Sequence, residues 1–339
     1  LTRAEQEADV AGFQGRKDQS AQSGKLRGLG LCFYVESILG APQETTRIEF
    51  APEGVLNLYV GTQSNGQGHE TAYTQLICEK TGWLPQNVKI IQGDSAAIPT
   101  GGGTGGSRSV TMQGNSMYKT SDLMIERLKP LASDALEASQ DDVDFAHGAF
   151  NIVGTDRKIS LPQVVETARD KGLADLLDHS VEYDLPARSY PNGAHFCEVE
   201  IDPATGHTQV VKYTVVDDFG LLINPMLAEG QVHGGVVQGI GQAISEHTVY
   251  DASGQLLTGS FMDYGMPRAG DVPNMAFHAE LVPSTANEIG MKGCGEAGTV
   301  GALAAVMNGV QDAVWDRGIT QVDMPVTPLR MWTWLHGGP

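Results

Sequence analysis

The chain has 339 residues, 41 of them acidic and 22 basic, for a formal net charge of −19. That excess of negative charge disfavours nucleic acid or an anionic membrane surface as a partner. No apolar run approaches the length needed to span a bilayer, and the length allows a large core divided between two lobes.

Residues 1–27 are polar and predict a surface arm or a helix cut in mid-course, with no signal peptide at Leu1-Thr2-Arg3-Ala4-Glu5-Gln6. Strands are expected over 29–35 and 47–50, the second turned by Pro52-Glu53-Gly54 into a strand over 55–60. A helix over 70–81 stops at Gly82. A longer one over 109–136 carries an apolar stripe of Met117, Leu123, Met124, Leu128 and Leu131. Ser160-Leu161-Pro162-Gln163 has capping-box spacing and opens a helix that ends near Gly172.

In the second half, strands over 195–201 and 208–216 flank the turn Asp202-Pro203-Ala204-Thr205-Gly206. Asn224-Pro225 starts a helix to about Glu246, and a hairpin is expected around Asp251-Ala252-Ser253-Gly254. A strand-like run over 276–282 ends at Pro283, and a loop and helix at 293–314 close the fold. These elements predict an α+β class with two lobes of mixed or antiparallel sheet and packed helices. The expected division is an arm at 1–27, a first lobe at 28–190, a second lobe at 191–330 and a tail at 331–339. The four cysteines, Cys32, Cys78, Cys197 and Cys294, form no C-x-x-C, so free thiols in a reducing, cytoplasmic compartment are expected.

Glycine is the compositional outlier: of 42 residues, 14 are concentrated in four clusters, each in or before the first turns of a helix. They are residues 61–69, 101–108, 228–235 and 293–298. Free N–H groups at a helix start, with the helix dipole, favour bound anions, and glycine lets a ligand approach them. Taken singly, Gly66-Gln67-Gly68 reads equally well as a strand-to-helix turn, and Gln231 as a helix-packing residue. The run through Ser107, Arg108 and Ser109 fits phosphate better than a linker, although G-x-x-x-x-G-K-[ST] is absent. His69 and His233 are expected to be hydrogen-bonded structural residues rather than metal ligands. Glu198, Glu200, Asp217, Asp218, Glu246 and His247 are expected to be solvated or strand-face groups, and no Gly-x-Ser-x-Gly points to a serine nucleophile.

Gly293-Cys294-Gly295-Glu296-Ala297-Gly298 also spells G-x-G-x-x-G, which in a dinucleotide enzyme follows a strand directly and precedes an acidic residue about 20 positions on. Here Pro283 and a polar loop intervene, and Asp312 and Asp316 fall within or just after the helix. The alternative reading makes Glu296 a carboxylate placed at a helix start beside another cofactor.

Four segments in order, Gly66-Gln67-Gly68-His69-Glu70-Thr71, Gly105-Gly106-Ser107-Arg108-Ser109, Asn224-Pro225 through Gly230-Gln231, and 293–298, resemble the molybdenum-binding subunit of the xanthine oxidase family. That family comprises molybdenum hydroxylases, among them aldehyde oxidoreductases and aerobic carbon monoxide dehydrogenase. The resemblance covers about residues 28–330. It implies a molybdopterin cofactor, in bacteria usually the cytosine dinucleotide. Gly66, Gln67, Gly68, His69 and residues 105–109 would hold pterin and pyrophosphate, with the Gly106 backbone close to molybdenum and no side-chain ligand. Gln231 and Gly295 would contact the pterin. Glu296 matches the family's base, which takes a proton from molybdenum-bound hydroxide as an aldehyde or N-heterocycle is oxidised. A carboxylate in a dry pocket would suit that task.

An earlier half of the family's subunit, with another glycine-rich loop and a Phe-Arg loop lining the substrate pocket, has no counterpart here. The chain is therefore expected to be the second polypeptide of a split subunit or a fragment, inactive alone. The remaining half, fused or separate, and Fe–S and FAD subunits are expected as partners, because four cysteines are too few for clusters. Two other readings compete: a non-catalytic scaffold of such a complex, and a dinucleotide-dependent oxidoreductase using 293–298.

Overall fold

The structure is a computed structural model and describes residues 1–337. Two helices, α1 (Thr2–Glu7) and α2 (Phe13–Gln22), precede β1 (Leu26–Val35), β2 (Gln43–Phe50) and β3 (Leu56–Val60). Then come α3 (His69–Thr81), β4 (Val88–Ile91) and the long α4 (Ser109–Leu136). Next are β5 (Val143–Ala146), β6 (Ala149–Ile152), β7 (Lys158–Ser160), α5 (Leu161–Asp170) and β8 (Asp178–Asp184). The second half holds β9 (Asn192–Ile201), β10 (Thr208–Asp218), α6 (Pro225–Ile244), β11 (Met275–Ala279), α7 (Ala297–Trp315) and α8 (Pro328–His336). Open sheets run in the orders β1-β9-β10-β11, β4-β3-β2-β8 and β5-β6-β7, the α+β architecture that the sequence predicts.

The two larger sheets are built differently. In β2 and β3 buried and half-exposed positions alternate, since one face packs on α3 and α4 and the other stays partly open. In β9 nearly every position is buried. Ala194 and Phe196 face Ala4 of α1 and Ala8 just after it, while Cys197, Val199 and Ile201 face α6 and α7. Strand β1, grouped by its sequence position with the first lobe, pairs along its whole length with β9. Its glycines let α7 lie directly on the strand: a Cβ on Gly28 would stand 2.0 Å from the Gly309 carbonyl oxygen, and one on Gly30 1.9 Å from that of Ala305.

Helix caps follow the local chemistry. Gly82 ends α3 with φ +69°, Ser160 and Gln163 form the expected capping box on α5, and Asn224 accepts from the Leu227 N–H at 3.0 Å to cap α6. Several expectations need correction. Leu123 of the proposed α4 stripe is exposed, whereas Met117, Met124, Leu128 and Leu131 are buried. Around Asp251 there is only an isolated bridge between Tyr250 and Leu256. The arm at 1–27 is two docked helices. The tail from 331 lies mostly in α8, whose Met331 is fully buried, and Gly338 and Pro339 lie outside the described residues. Among the described residues no helix is long and apolar enough to cross a membrane.

Among the acidic groups expected on solvated faces, Glu198, Glu200, Asp217 and Asp218 are largely internal. Helix α2 covers Glu198 and Glu200, the 280s loop reaches Asp218, and Asp217 lies beside Tyr34 and His195 on the side of the sheet that packs on α7. Glu198 is buried between Arg16 and Arg27, with Oε1 2.6 Å from Arg16 Nη2 and Oε2 2.8 Å from Arg27 Nε. Glu200 accepts from Ser20 Oγ at 2.5 Å. Asp217 accepts from the Tyr34 hydroxyl at 3.0 Å, and Asp218 pairs with Lys292 and accepts from the Gly220 and Val282 N–H groups. Such burial is tolerated because each carboxylate has charged or hydrogen-bonding partners.

Candidate cofactor site

The four glycine-rich segments, distant in sequence, line one cavity of about 430 Å³. Asn65, Gln67 and His69 come from the first, Thr104 to Ser107 and Ser109 from the second, Ala228 and Gln231 from the third, and Gly293 to Glu296 from the fourth. Phe219, Leu221 and Ile223, in the connection from β10 to α6, add an apolar wall. Such size and composition suit a small-molecule or cofactor site.

Three helices begin at this cavity without a side-chain cap: α3 at Gly68, α4 at Arg108 and α7 at Glu296. Their first N–H groups and dipoles are therefore available to an anion. The fourth, α6, is closed by Asn224. At the second segment the backbone is left-handed at Gly106 (φ +59°) and Ser107 (φ +56°), and strain at a non-glycine residue is characteristic of functional loops. Gly293 packs against this turn so closely that a Cβ would lie 1.9 Å from the Ser107 carbonyl oxygen. The Gln231 Nε2 donates to the Gly295 carbonyl at 2.9 Å, tying the third segment to the fourth.

Not every predicted residue faces the cavity. Gly66 and Gly68 shape the first turn, and a Cβ on Gly68 would strike Leu227. The Arg108 guanidinium, expected near phosphate, points the other way. It is buried against Glu44 (Nη1 to Oε2, 2.9 Å) and donates to the carbonyls of Ala41, Gln43 and Gly103. All three nitrogens of its fork donate inside the protein, so it organises the loop and offers its backbone rather than its side chain to the cavity. His69 is buried with an unpartnered Nδ1, and burial holds its imidazole below the ordinary range, so it is neutral. Among the described residues no three His, Cys, Asp or Glu side chains are placed to hold a metal ion.

Glu296 is exposed at the cavity rim; the dry pocket expected around it is not enclosed by the described residues. Its Oε2 is 2.8 Å from Ser107 Oγ, and its own N–H donates to that oxygen at 3.0 Å. The same hydroxyl is 2.6 Å from Oε1 of Glu36, a residue that sequence reading passes over. Glu36 follows the last residue of β1, where alternation stops and no motif marks it. Burial and the neighbouring Glu296 push its carboxyl up to about 7, against the Ser107 hydrogen bond. Burial, with Asp217 and Glu36 nearby, pushes the adjoining Cys294 thiol up to about 12.

The dinucleotide fingerprint fails on geometry as well. The residues before Gly293 make only an isolated bridge, Met291 to Gly220, and β11 ends at Ala279, well before the glycines. The orphaned His69 nitrogen, the three uncapped helix starts and the glutamine donors instead fit a large anionic cofactor held mainly by backbone.

Comparison with known proteins agrees. Residues 3–273 match the molybdopterin cofactor-binding domain family. The gamma subunit of the 6-hydroxypseudooxynicotine dehydrogenase complex of Paenarthrobacter nicotinovorans is 34% identical over 320 residues, 93% of this chain and 40% of that protein. The carbon monoxide dehydrogenase large chain of Hydrogenophaga pseudoflava is 32% identical over 334 residues, 94% of this chain and 42% of that one. The quinoline 2-oxidoreductase of Pseudomonas putida 86 superposes with a TM-score of 0.92 at 30% identity, over 100% of this chain and 45% of that one. The chain thus spans about two fifths of the length of the curated relatives it matches. With its cavity and its family match in accord, the chain belongs to the molybdopterin cofactor-binding domain family, within the molybdenum-binding subunits of the xanthine oxidase family.

Proposed function

We propose that this chain holds molybdopterin, as the cytosine dinucleotide, in a molybdenum hydroxylase and supplies the base for oxidation of an aldehyde or N-heterocycle. The observation that carries the reading is the convergence of all four glycine-rich segments, and Glu296, on one cavity. The uncapped starts of α3, α4 and α7 would receive the pyrophosphate, and Gln67, Gln231 and Gly295 would contact the pterin. Ser109, whose hydroxyl donates to Thr104 Oγ1 at 3.2 Å, would offer its backbone N–H at the start of α4. The Gly106 backbone would lie near the metal, for which the described residues offer no cluster of side-chain ligands. When bound, the cofactor supplies two-electron oxidation with water as the oxygen source. Glu296 accepts the proton released, and its exposed position lets that proton leave to solvent.

Electrons leave through Fe–S and FAD subunits, and the substrate pocket is completed by the remaining part of the molybdenum subunit, fused or separate. That a relative is named as one subunit of a dehydrogenase complex supports the multisubunit reading; another named for quinoline supports the heterocycle. The four unpaired cysteines suit a reducing cytoplasm. The test is Glu296→Gln in the assembled complex. Turnover is expected to fall by about 10²–10⁴-fold with molybdenum and released cytidine monophosphate unchanged; unaltered turnover would overturn the base assignment, and absence of both constituents the cofactor assignment.

A further inference from the structure

Ser107 Oγ has one hydrogen to give, and two carboxylate oxygens stand within hydrogen-bond distance of it: Glu36 Oε1 at 2.6 Å and Glu296 Oε2 at 2.8 Å. The Glu296 N–H already donates to the same oxygen. With both carboxyls ionised, one of the two short contacts would set lone pair against lone pair. Both close only if one carboxyl is protonated and donates to Oγ while Oγ donates to the other.

Three observations decide which carboxyl holds the proton. Glu36 Oε2 is buried without a hydrogen-bond partner, a costly state for an anion. Glu296 is exposed, so its charge stays hydrated. Glu296 is also the N-cap of α7, whose free N–H groups favour a negative charge there. The charged groups bearing on Glu36 are Glu296, before α7, and Asp217 from β10, both acidic. The Tyr34 hydroxyl and the Cys294 thiol are its other titratable neighbours. None of these compensates a second negative charge.

We propose that Glu36 is a positioning residue for Glu296: its carboxyl holds a proton that is donated to Ser107 Oγ, so that the Ser107 hydroxyl donates to the Glu296 carboxylate and aims it, ionised, into the cavity. The pair carries one shared proton, and a proton accepted by Glu296 leaves from its exposed oxygen to solvent while Glu36 keeps its own. Loss of the Glu36 proton breaks one contact and frees Glu296 from Ser107. The proposal rests on Glu296 being the base.

The first test needs no loaded cofactor: infrared titration of the carboxylic acid stretch in the complete subunit, purified in its complex. Wild type is expected to show a protonated carboxyl that titrates near pH 7. Glu36→Gln should remove it, and Glu296→Gln should move its titration down by roughly one pH unit, because a like charge has gone. A band that survives Glu36→Gln, or titrates identically in Glu296→Gln, overturns the proposal. In the loaded complex, Glu36→Ala should lower kcat by about 10–100-fold with molybdenum content unchanged. Glu36→Gln, whose amide still donates to Ser107 Oγ, should recover most of that loss and move the basic limb of the pH profile upward. Equal turnover in wild type and Glu36→Ala would sink the positioning role. Active Glu296→Gln with the infrared coupling intact would instead remove the base assignment alone.

Discussion

Neighbouring residues in one loop, Arg108 with one carboxylate and Ser107 with two carboxyl groups, serve them in opposite ways. Arg108 and Glu44 form a buried pair whose hydrogen-bonding capacity is met within the protein: the guanidinium reaches three carbonyls, and Glu44 also accepts from Gly102 N and from its neighbour Thr45 N. Ser107, facing the cavity, has one proton for two acids, and Glu36 keeps a buried oxygen with nothing attached. The first arrangement is complete and organises the loop. The second is left one proton short, which is what a site that moves protons requires. The Gly106-Ser107-Arg108-Ser109 segment of this chain therefore joins a residue spent on internal contacts to one that faces the cavity.

The sharpest way to break this comparison is Arg108→Met, which strands the Glu44 charge in the interior. A loss of about 3–5 kcal/mol in urea denaturation of the intact protein is expected, with cofactor release following from the collapsed loop. Glu44→Gln combined with Arg108→Met should recover part of that stability; a double variant no better than the single one would mean the carbonyl contacts dominate. Ser107→Ala should do the reverse. Its stability should change by about 1 kcal/mol or less, while turnover of the loaded complex falls by about 10-fold or more.

The pH dependence of stability discriminates the same two sites. Since Glu36 is raised from 4.5 to about 7, its folded state favours the neutral form. Its contribution to stability is fully present below about pH 4.5 and is lost as pH rises through about 7. Melting curves should therefore show wild type losing ground to Glu36→Gln across that interval; parallel curves would contradict the raised value. The smallest effect concerns Cys294, beside the pair. Burial and acidic neighbours hold it as a thiol, so iodoacetamide at neutral pH should label it far more slowly than in the unfolded chain.

Much of the architecture is legible in the sequence where period and punctuation agree. Gly82, Ser160 with Gln163, and Asn224-Pro225 mark helix ends that the structure has within a few residues. The glycine clusters foretell helix starts, which converge on one cavity, but not which atoms face it. Arg108 reads as a phosphate ligand because sequence carries no information on where a long side chain turns; Glu44, its partner, lies 64 positions away. Glu198 and Asp217 read as surface groups because helices from remote segments cover β9 and β10. Glu36 was invisible for the same reason: its significance comes from Ser107 and Glu296, 71 and about 260 positions on.

The glycines of β1 bear on these acids through geometry. Moving along β1 from Gly28 to Gly30, the facing residues on α7 run backward from Ala313 to Ala305, so the strand's end, with Glu36, approaches the helix's start, with Glu296. The spacing of the backbone segments that carry the two carboxyls is thus gauged by main chain pressed on main chain. A methyl group added at position 30, some distance from any reacting atom, would act as a shim under α7 and retune the proton affinity of the pair.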